Sequence, residues 1–148
     1  MARTHLTLAA LVSSAIAGFN PTSSRDYACE IHDDVDAAVI EDENGVVIVV
    51  EVPRTGAAND ELRAEAKSLD ALTAGVRSLL PFAVPEKIQQ AQMGDGIALI
   101  SSFVPGIPLN AAMMRGQFAL ASSVGSGIAA IHEIPSSVIS DAARPTLS

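Results

Sequence analysis

One stretch of this chain constrains its fold more than any other: an apolar strand, a short turn and a long helix follow one another. Residues 46–50 are five consecutive β-branched residues, which predicts a strand that is covered on both faces, and Pro53 ends it. Asn59 or Asp60 can cap the helix, which we expect to continue to about Leu80 because a proline follows. The stretch therefore indicates a domain in which a helix packs on a sheet.

Each of these two elements carries one acid in an apolar setting, Glu51 in the strand and Glu65 in the helix. Residues at spacings of three or four predict one buried helix stripe: Leu62, Glu65, Leu69, Leu72, Val76 and Leu79. A carboxylate on that stripe must find a cation or hydrogen-bond donors, because an unpaired buried charge costs several kcal/mol. Glu51 allows two interpretations. Its side chain faces the helix, or, after a register slip of one residue, it turns to solvent.

The N-terminal segment is predicted to form an amphipathic helix over about residues 5–17. Apolar residues recur there at helical spacing: Leu8, Leu11, Val12 and Ala15. Gly18 follows, where a helix C-cap is expected. The alternative is a secretory signal, because an apolar run precedes the small-residue pattern of residues 15–17. No apolar stretch reaches the roughly 20 residues that a membrane-spanning helix needs.

Most of the predicted sheet comes from two hairpins. The predicted strands are residues 26–31, 36–42, 46–52, 86–93 and 97–103. The second and third are joined around Asn44-Gly45, a strong hairpin signal, and the last two by residues 94–96. Residues 21–25 are rich in turn-forming residues and are predicted to be a loop.

The region after the second hairpin is predicted to be helical. Residues 105–108 form a stiff connector and a domain boundary. A short helix near residues 109–115 and a longer one over about 117–132 follow. The element order predicts the α+β class, with an antiparallel five-stranded sheet and one packed helix inserted after the third strand.

The charge of the chain argues against two classes of partner. Nine Lys plus Arg against 17 Asp plus Glu give a net charge of −8. Nucleic acids and anionic membranes both require clustered basic residues, so neither is an expected partner. The one cysteine, Cys29, excludes an internal disulfide and a cysteine-based zinc site, and we expect a small strand residue there. A reducing cytoplasm fits this composition best.

Several segments together resemble the aminoglycoside/macrolide phosphotransferase family, whose members have a protein-kinase-like fold. The likeness is carried, in chain order, by residues 36–54, 62–69, 80–85, 103–109 and 128–135. The resemblance implies a kinase-like N-terminal lobe over residues 1–104. Residues 105–148 would then be the hinge and the start of an incomplete helical C-terminal lobe.

The resemblance also implies a nucleotide site. Strand 46–52 and the hinge near residues 101–106 would enclose the adenine of ATP, with Ser101 and Phe103 among the binding residues. Glu65 would orient the strand cation that holds the phosphates. This chain has Glu51 where the family places that Lys or Arg. ATP and Mg²⁺ are the cofactors of the intact family. The acceptor would be a hydroxylated small molecule such as an aminoglycoside or macrolide. The resemblance therefore also implies a role in antibiotic resistance.

Phosphoryl transfer also needs an Asp near the substrate hydroxyl and acidic ligands for Mg²⁺. The family's His-Gly-Asp…Asn loop and later Asp segment do not occur in these 148 residues, so no catalytic or metal-binding residue is assigned. We expect a truncated phosphotransferase that is inactive alone, in which the apolar stripe of helix 117–132 is unpaired and favours self-association. The alternative is a non-catalytic α+β binding or interaction module, including a secreted one.

Overall fold

The computed structural model describes residues 2–27 and 34–138. Its larger elements are, in chain order, α1 (His5–Ala15), β1 (Pro21–Asp26), β2 (Val35–Asp42), β3 (Val47–Pro53), α2 (Gly56–Ala71), α3 (Ala74–Arg77), β4 (Lys87–Met93), β5 (Gly96–Ser102), α4 (Ala111–Met114) and α5 (Phe118–His132). A 3-10 turn at Ser136–Val138 follows. The strands form one antiparallel sheet in the order β1-β2-β3-β5-β4. The predicted α+β class and five-stranded antiparallel sheet are confirmed.

Both predicted hairpins are present. In the β2–β3 turn, one carboxylate oxygen of Asp42 accepts hydrogen bonds from the backbone N–H groups of Asn44 and Val46, each at 2.9 Å. Gly45 has φ +77°, a conformation that glycine adopts without a steric penalty. Gly94 plays the same part in the β4–β5 turn, with φ +57°. These local hydrogen bonds and positive φ angles explain why the turn residues signalled the hairpins correctly.

A helix covers each face of the sheet. On one face α1 packs through Leu8 and Val12, neither of them exposed, against even-numbered strand residues: Ala38, Ile40, Ile48, Val50, Val52, Ala98 and Ile100. On the other face α2 packs through Leu62 and its neighbours against Val35, Ile97 and Leu99. The prediction that the β3 strand is covered on both faces is confirmed, and α1 adds a second packed helix to the one expected. α1 ends at Ala15, before the predicted residue 17.

The start of α2 differs from the prediction. The N-cap is Thr55, whose hydroxyl accepts a hydrogen bond from the backbone N–H of Ala58 at 3.2 Å. Asn59 is a helical residue instead, and its side-chain oxygen accepts from the backbone N–H of Ile97 at 2.9 Å. The Asn59 side chain, which the sequence predicts to cap the helix, therefore forms a tertiary hydrogen bond to β5 instead.

The end of α2 is also earlier than predicted, at Ala71 rather than about Leu80. The hydroxyl of Thr73 accepts from the backbone N–H of Val76 and caps the separate helix α3. Leu79, placed by periodicity on the buried stripe, is 55% exposed. The break is held from outside the helix, because the Arg77 guanidinium donates to the backbone oxygens of three residues, at 2.7 to 2.8 Å: Leu72, Val84 and Pro85.

The predicted loop at residues 21–25 is wrong, because these residues form most of β1. Strand pairing with β2 outweighs their turn preference, and Pro21 is tolerated as the first residue of an edge strand. Of the weak strand candidate 26–31, Asp26 is the last residue of β1, while residues 28–31, with Cys29, lie outside the described residues.

β5 ends at Ser102, and residues 103–110 have no regular secondary structure before α4 and α5 begin. α4 falls within the predicted range 109–115, and α5 agrees with the predicted helix 117–132. α5 has no buried residue. A domain boundary after residue 104 stays a prediction. Within the described residues, no helix is both long and apolar enough to cross a membrane.

Candidate functional site

The sheet face that α1 does not cover carries the candidate site, in two cross-strand rows. Residues that are direct partners on neighbouring strands project to the same face of a sheet. One row is Ala37 on β2, Glu51 on β3 and Leu99 on β5. The other is Val39, Val49 and Ser101 on the same three strands. All six are buried, at most 9% exposed. We call the apolar part formed by Ala37, Val39 and Val49 the floor of the site.

Glu51 lies at one end of this face and points into the protein. It is 6% exposed, which rules out the interpretation of a strand-end residue turned to solvent. Its cross-strand partner Leu99 belongs to the cluster packed under α2, so Glu51 projects to the α2 side of the sheet. Glu51 takes part in at least one polar or electrostatic interaction. Glu51 is therefore a buried and engaged side chain of the sheet, and it is not a solvent-exposed surface residue.

Glu65 lies on α2, which packs on the same side of the sheet. The buried stripe of that helix consists of Ala58, Leu62, Ala66 and Leu69. Glu65 is half-buried and flanks Ala66, so it lies at the margin of the stripe rather than on its centre. Like Glu51, it is engaged in a polar or electrostatic interaction. Both predicted acids are thus on the α2 side of the sheet, one in the strand and one in the helix.

Two arginines lie near this end of the sheet and share one carboxylate. Asp36 is buried, and its oxygens lie 3.2 Å from Nη1 of Arg3 and 3.6 Å from Nε of Arg54. The strand partner of Asp36 is Val52, which belongs to the α1-facing core. These contacts direct at least part of the Arg54 guanidinium toward the α1 side. Asp36 therefore engages the cation nearest in sequence to Glu51.

The other end of the face is formed by Ser101 and Phe103. Ser101 is 5% exposed and completes the row with Val39 and Val49. Phe103 is half-buried, and its backbone N–H donates to the backbone oxygen of Val47 at 3.3 Å, which continues the β3–β5 pairing by one residue. The structure therefore brings three of the four predicted site residues, Glu51, Ser101 and Phe103, to one strip of the sheet along the adjacent strands β3 and β5.

Sequence reasoning missed one residue of this strip. The guanidinium carbon of Arg25 lies 5.6 Å from the centre of the Phe103 ring, within cation–π range. Arg25 is the β1 partner of Val39, which puts it on the face of the floor. Arg25 was missed because residues 21–25 are predicted to be a loop, which gives its side chain no defined face. A strand prediction there, together with the register to β2, is needed to place Arg25 opposite Val39.

The residues present suit a flat apolar group better than a metal-bound phosphate. The floor is apolar, and Phe103 extends the neighbouring strand β5 through its backbone hydrogen bond to Val47. The opposite end presents the carboxylate of Glu51. Within residues 2–27 and 34–138, no group of three or more His, Cys, Asp or Glu residues is arranged to hold a metal ion.

Comparison with solved structures establishes the fold independently. The chain superposes on the GDP complex of wild-type aminoglycoside 2′-phosphotransferase-IIIa with a TM-score of 0.70 and 16% identity, over 92% of this chain and 44% of that one. The apoenzyme of macrolide 2′-phosphotransferase MphH from Brachybacterium faecium gives 0.64 and 21%, over 88% and 43%. A macrolide 2′-phosphotransferase type I gives 0.58 and 20%, over 96% and 48%.

These matches confirm the predicted resemblance to aminoglycoside and macrolide phosphotransferases and the kinase-like fold. The chain spans less than half the length of each of these structures. No protein-family profile matches the chain, and no curated protein matches it in sequence. At 16 to 21% identity the likeness is one of fold.

Proposed function

We propose that this chain is a nucleotide-binding lobe of the phosphotransferase type, with an intact base site and an altered phosphate site. The observation that carries the proposal is the strip of sheet from Glu51 to Phe103, on the fold of proteins of which one was solved with GDP. The lobe would comprise residues 1–104, and residues 105–148 the hinge and first helices of a second lobe. A cytoplasmic location is part of the proposal, because a single cysteine suits a reducing compartment.

The base end of the site supports purine binding in general. Val39 and Val49 provide an apolar surface for one face of a base. The backbone N–H groups of Ser102 and Phe103 already donate to Glu86 and Val47, so the connector after Phe103 would supply the hydrogen-bonding edge. Such pockets are mostly apolar with a few polar groups at the edge. The expected ligand from the resemblance is ATP. GDP in a structure of the same fold makes guanine nucleotides equal candidates.

The phosphate end supports the view that this polypeptide does not transfer phosphate alone. A carboxylate replaces the expected strand cation, and like charges 4 Å apart repel by about 4 kcal/mol at an effective dielectric constant near 20. The His-Gly-Asp loop that would position an acceptor hydroxyl is not among the 148 residues. We therefore expect negligible phosphorylation of aminoglycosides or macrolides by this polypeptide. Incorporation of labelled phosphate into either substrate would contradict this part of the proposal.

A thermal-shift titration tests nucleotide binding. We expect adenosine, guanosine, GDP and Mg-ATP each to raise the melting temperature, because a ligand at 100 times its Kd stabilises the folded state by about 2.7 kcal/mol. Val49→Leu should reduce the shift by filling the floor. Val46→Leu is the matched control, since Val46 directly precedes the same strand and is 48% exposed. No shift with any of these ligands at millimolar concentration would remove the nucleotide proposal.

Helix α5 supports a second interaction of this chain, self-association. Phe118, Ile128 and Ile131 are 87%, 51% and 48% exposed. Together with Phe82 the helix borders a groove of about 640 Å³, and apolar surface of this kind is typical of interaction sites.

We expect light scattering to show a molecular mass that rises with concentration. Ile128→Lys should abolish that rise. Ile107→Lys, at an exposed position in the connector, should leave it unchanged. A mass that is independent of concentration in the unmodified chain would contradict self-association.

A second candidate function is a non-catalytic binding module. The buried acid at the phosphate end favours it, because Glu51 would repel the group that a kinase must hold. The two candidates differ in their response to the triphosphate. A binding module with this site should bind nucleosides at least as well as ATP, whereas a functional phosphotransferase lobe should bind ATP far more tightly.

A further inference from the structure

We infer that Arg25 and Phe103 form a gate over the base site, which a purine must open in order to reach the floor. The inference rests on the proposed function, because it assigns a role to two residues at the same site. Arg25 is a basic residue on the edge strand β1, and Phe103 follows β5 directly. Binding of the base and the contact between Arg25 and Phe103 would then be mutually exclusive.

The geometry of the sheet requires the contact to cross the floor. β1 and β5 are separated by β2 and β3, so three strand spacings of about 4.8 Å, roughly 14 Å in total, lie between their backbones. The guanidinium carbon of Arg25 can lie 5.6 Å from the Phe103 ring centre only if the two side chains extend toward each other over β2 and β3. On these strands lie Val39, which is the cross-strand partner of Arg25, and Val49, which is the partner of Val39.

Burial agrees with this arrangement. Val39 and Val49 are only 5% and 7% exposed, although neither belongs to the apolar clusters packed under α1 or α2. The protein's own side chains therefore cover the surface that a base would use. Arg25 itself is exposed and lies on the edge strand β1, beside the floor. A planar base would take the same position over Val49 and beside the Phe103 ring, where it would replace the guanidinium.

Competition of this kind predicts that removal of Arg25 strengthens nucleoside binding, which is the opposite of the usual effect of removing a cation. Removal of a cation ordinarily weakens binding of an anionic nucleotide to a protein of net charge −8. If Arg25 closes the site, its removal instead makes the floor accessible. An exposed cation–π contact of about 0.5 to 1 kcal/mol corresponds to a roughly 2- to 5-fold change in affinity.

The test uses neutral nucleosides, so that long-range charge does not enter. Calorimetric titration of adenosine and guanosine into Arg25→Ala should give roughly 2- to 5-fold tighter binding than into the unmodified chain. Arg115→Ala is the matched control, because Arg115 is exposed beside α4 and carries the same charge. Ribose, which has neither a base nor a charge, should not distinguish the three proteins.

A second readout follows the gate itself. The Nε–H signal of Arg25 in an NMR spectrum should show a ring-current shift that Phe103→Leu removes. Saturating adenosine should remove it as well. Persistence of that shift with adenosine bound would overturn the gate.

The outcomes separate this inference from the proposed function. Nucleoside binding by the unmodified chain that becomes tighter in Arg25→Ala, and not in Arg115→Ala, supports the gate. Binding by the unmodified chain that Arg25→Ala leaves equal or weaker overturns the gate and leaves the nucleotide proposal standing. If neither protein binds any nucleoside or nucleotide at millimolar concentration, both are overturned.

Discussion

Replacement of Glu51 by glutamine is expected to tighten ATP binding at least about 10-fold while adenosine binding stays within about 2-fold, a difference of about 1.4 kcal/mol or more. Glu51 is 6% exposed, and it lies at the end of the candidate site that we propose for the phosphates. Glutamine keeps the size of the side chain and one acceptor oxygen, replaces the other oxygen with an NH2 donor, and removes the charge. The repulsion that it relieves is of the order of 4 kcal/mol at 4 Å, and reorganisation and solvent screening reduce what is measured.

The matched control for this prediction is Glu133→Gln. Glu133 is an exposed acid at the C-cap of α5, so its removal changes the net charge equally and leaves the sheet face unchanged. Calorimetric titrations of ATP and adenosine into all three proteins provide the comparison. Equal gains in ATP affinity for the two variants would assign the effect to overall charge. No gain for Glu51→Gln would contradict the placement of Glu51 at the phosphate end.

Leu62→Ala is expected to destabilise the chain by about 3 kcal/mol or more, whereas Leu79→Ala should cost less than about 1 kcal/mol. The periodicity of the sequence places both leucines on one helix stripe. In the structure Leu62 is fully buried between α2 and the sheet, and Leu79 lies beyond the end of the helix, 55% exposed. Truncation of Leu62 removes buried apolar surface and leaves a cavity, and truncation of Leu79 does neither.

Urea denaturation of the two variants measures this difference in the free energy of unfolding. Because Leu62 anchors the helix that carries Glu65, its truncation should also weaken any ligand binding at the α2-facing surface. Similar losses of stability for the two variants would mean that α2 continues to Leu80, as periodicity alone predicts. That result would contradict the break between α2 and α3.

The features that were predicted correctly depend on short-range chemistry. Asn44-Gly45 signals its hairpin because the turn needs a residue with positive φ next to side chains that can hydrogen-bond to the backbone. Residues 46–50 signal a doubly covered strand because β-branched residues pack well on both faces of a sheet. Neither signal depends on distant parts of the chain, so local sequence was sufficient.

The features that were missed depend on distant contacts. β1 is a strand because β2 pairs with it, and its own residues favour turns. The end of α2 depends on Arg77, whose partners Val84 and Pro85 follow in the next loop. The orientation of Glu51 was left open because a shift of one residue reverses a strand, and only the observed pairing with Leu99 decides it. The Arg25–Phe103 contact joins residues that local reasoning treated as unrelated.

The most direct test of the base site is an NMR titration of adenosine that compares neighbouring residues of β3 and β5. We expect chemical-shift changes for Val49, Ser101 and Phe103, which lie on the α2 side of the sheet. Ile48 and Val50 are packed against α1 and should change little beyond what their neighbours transmit. Changes concentrated on Ile48, Val50 and α1, or no change at millimolar adenosine, would contradict the assignment of a base site to this face of the sheet.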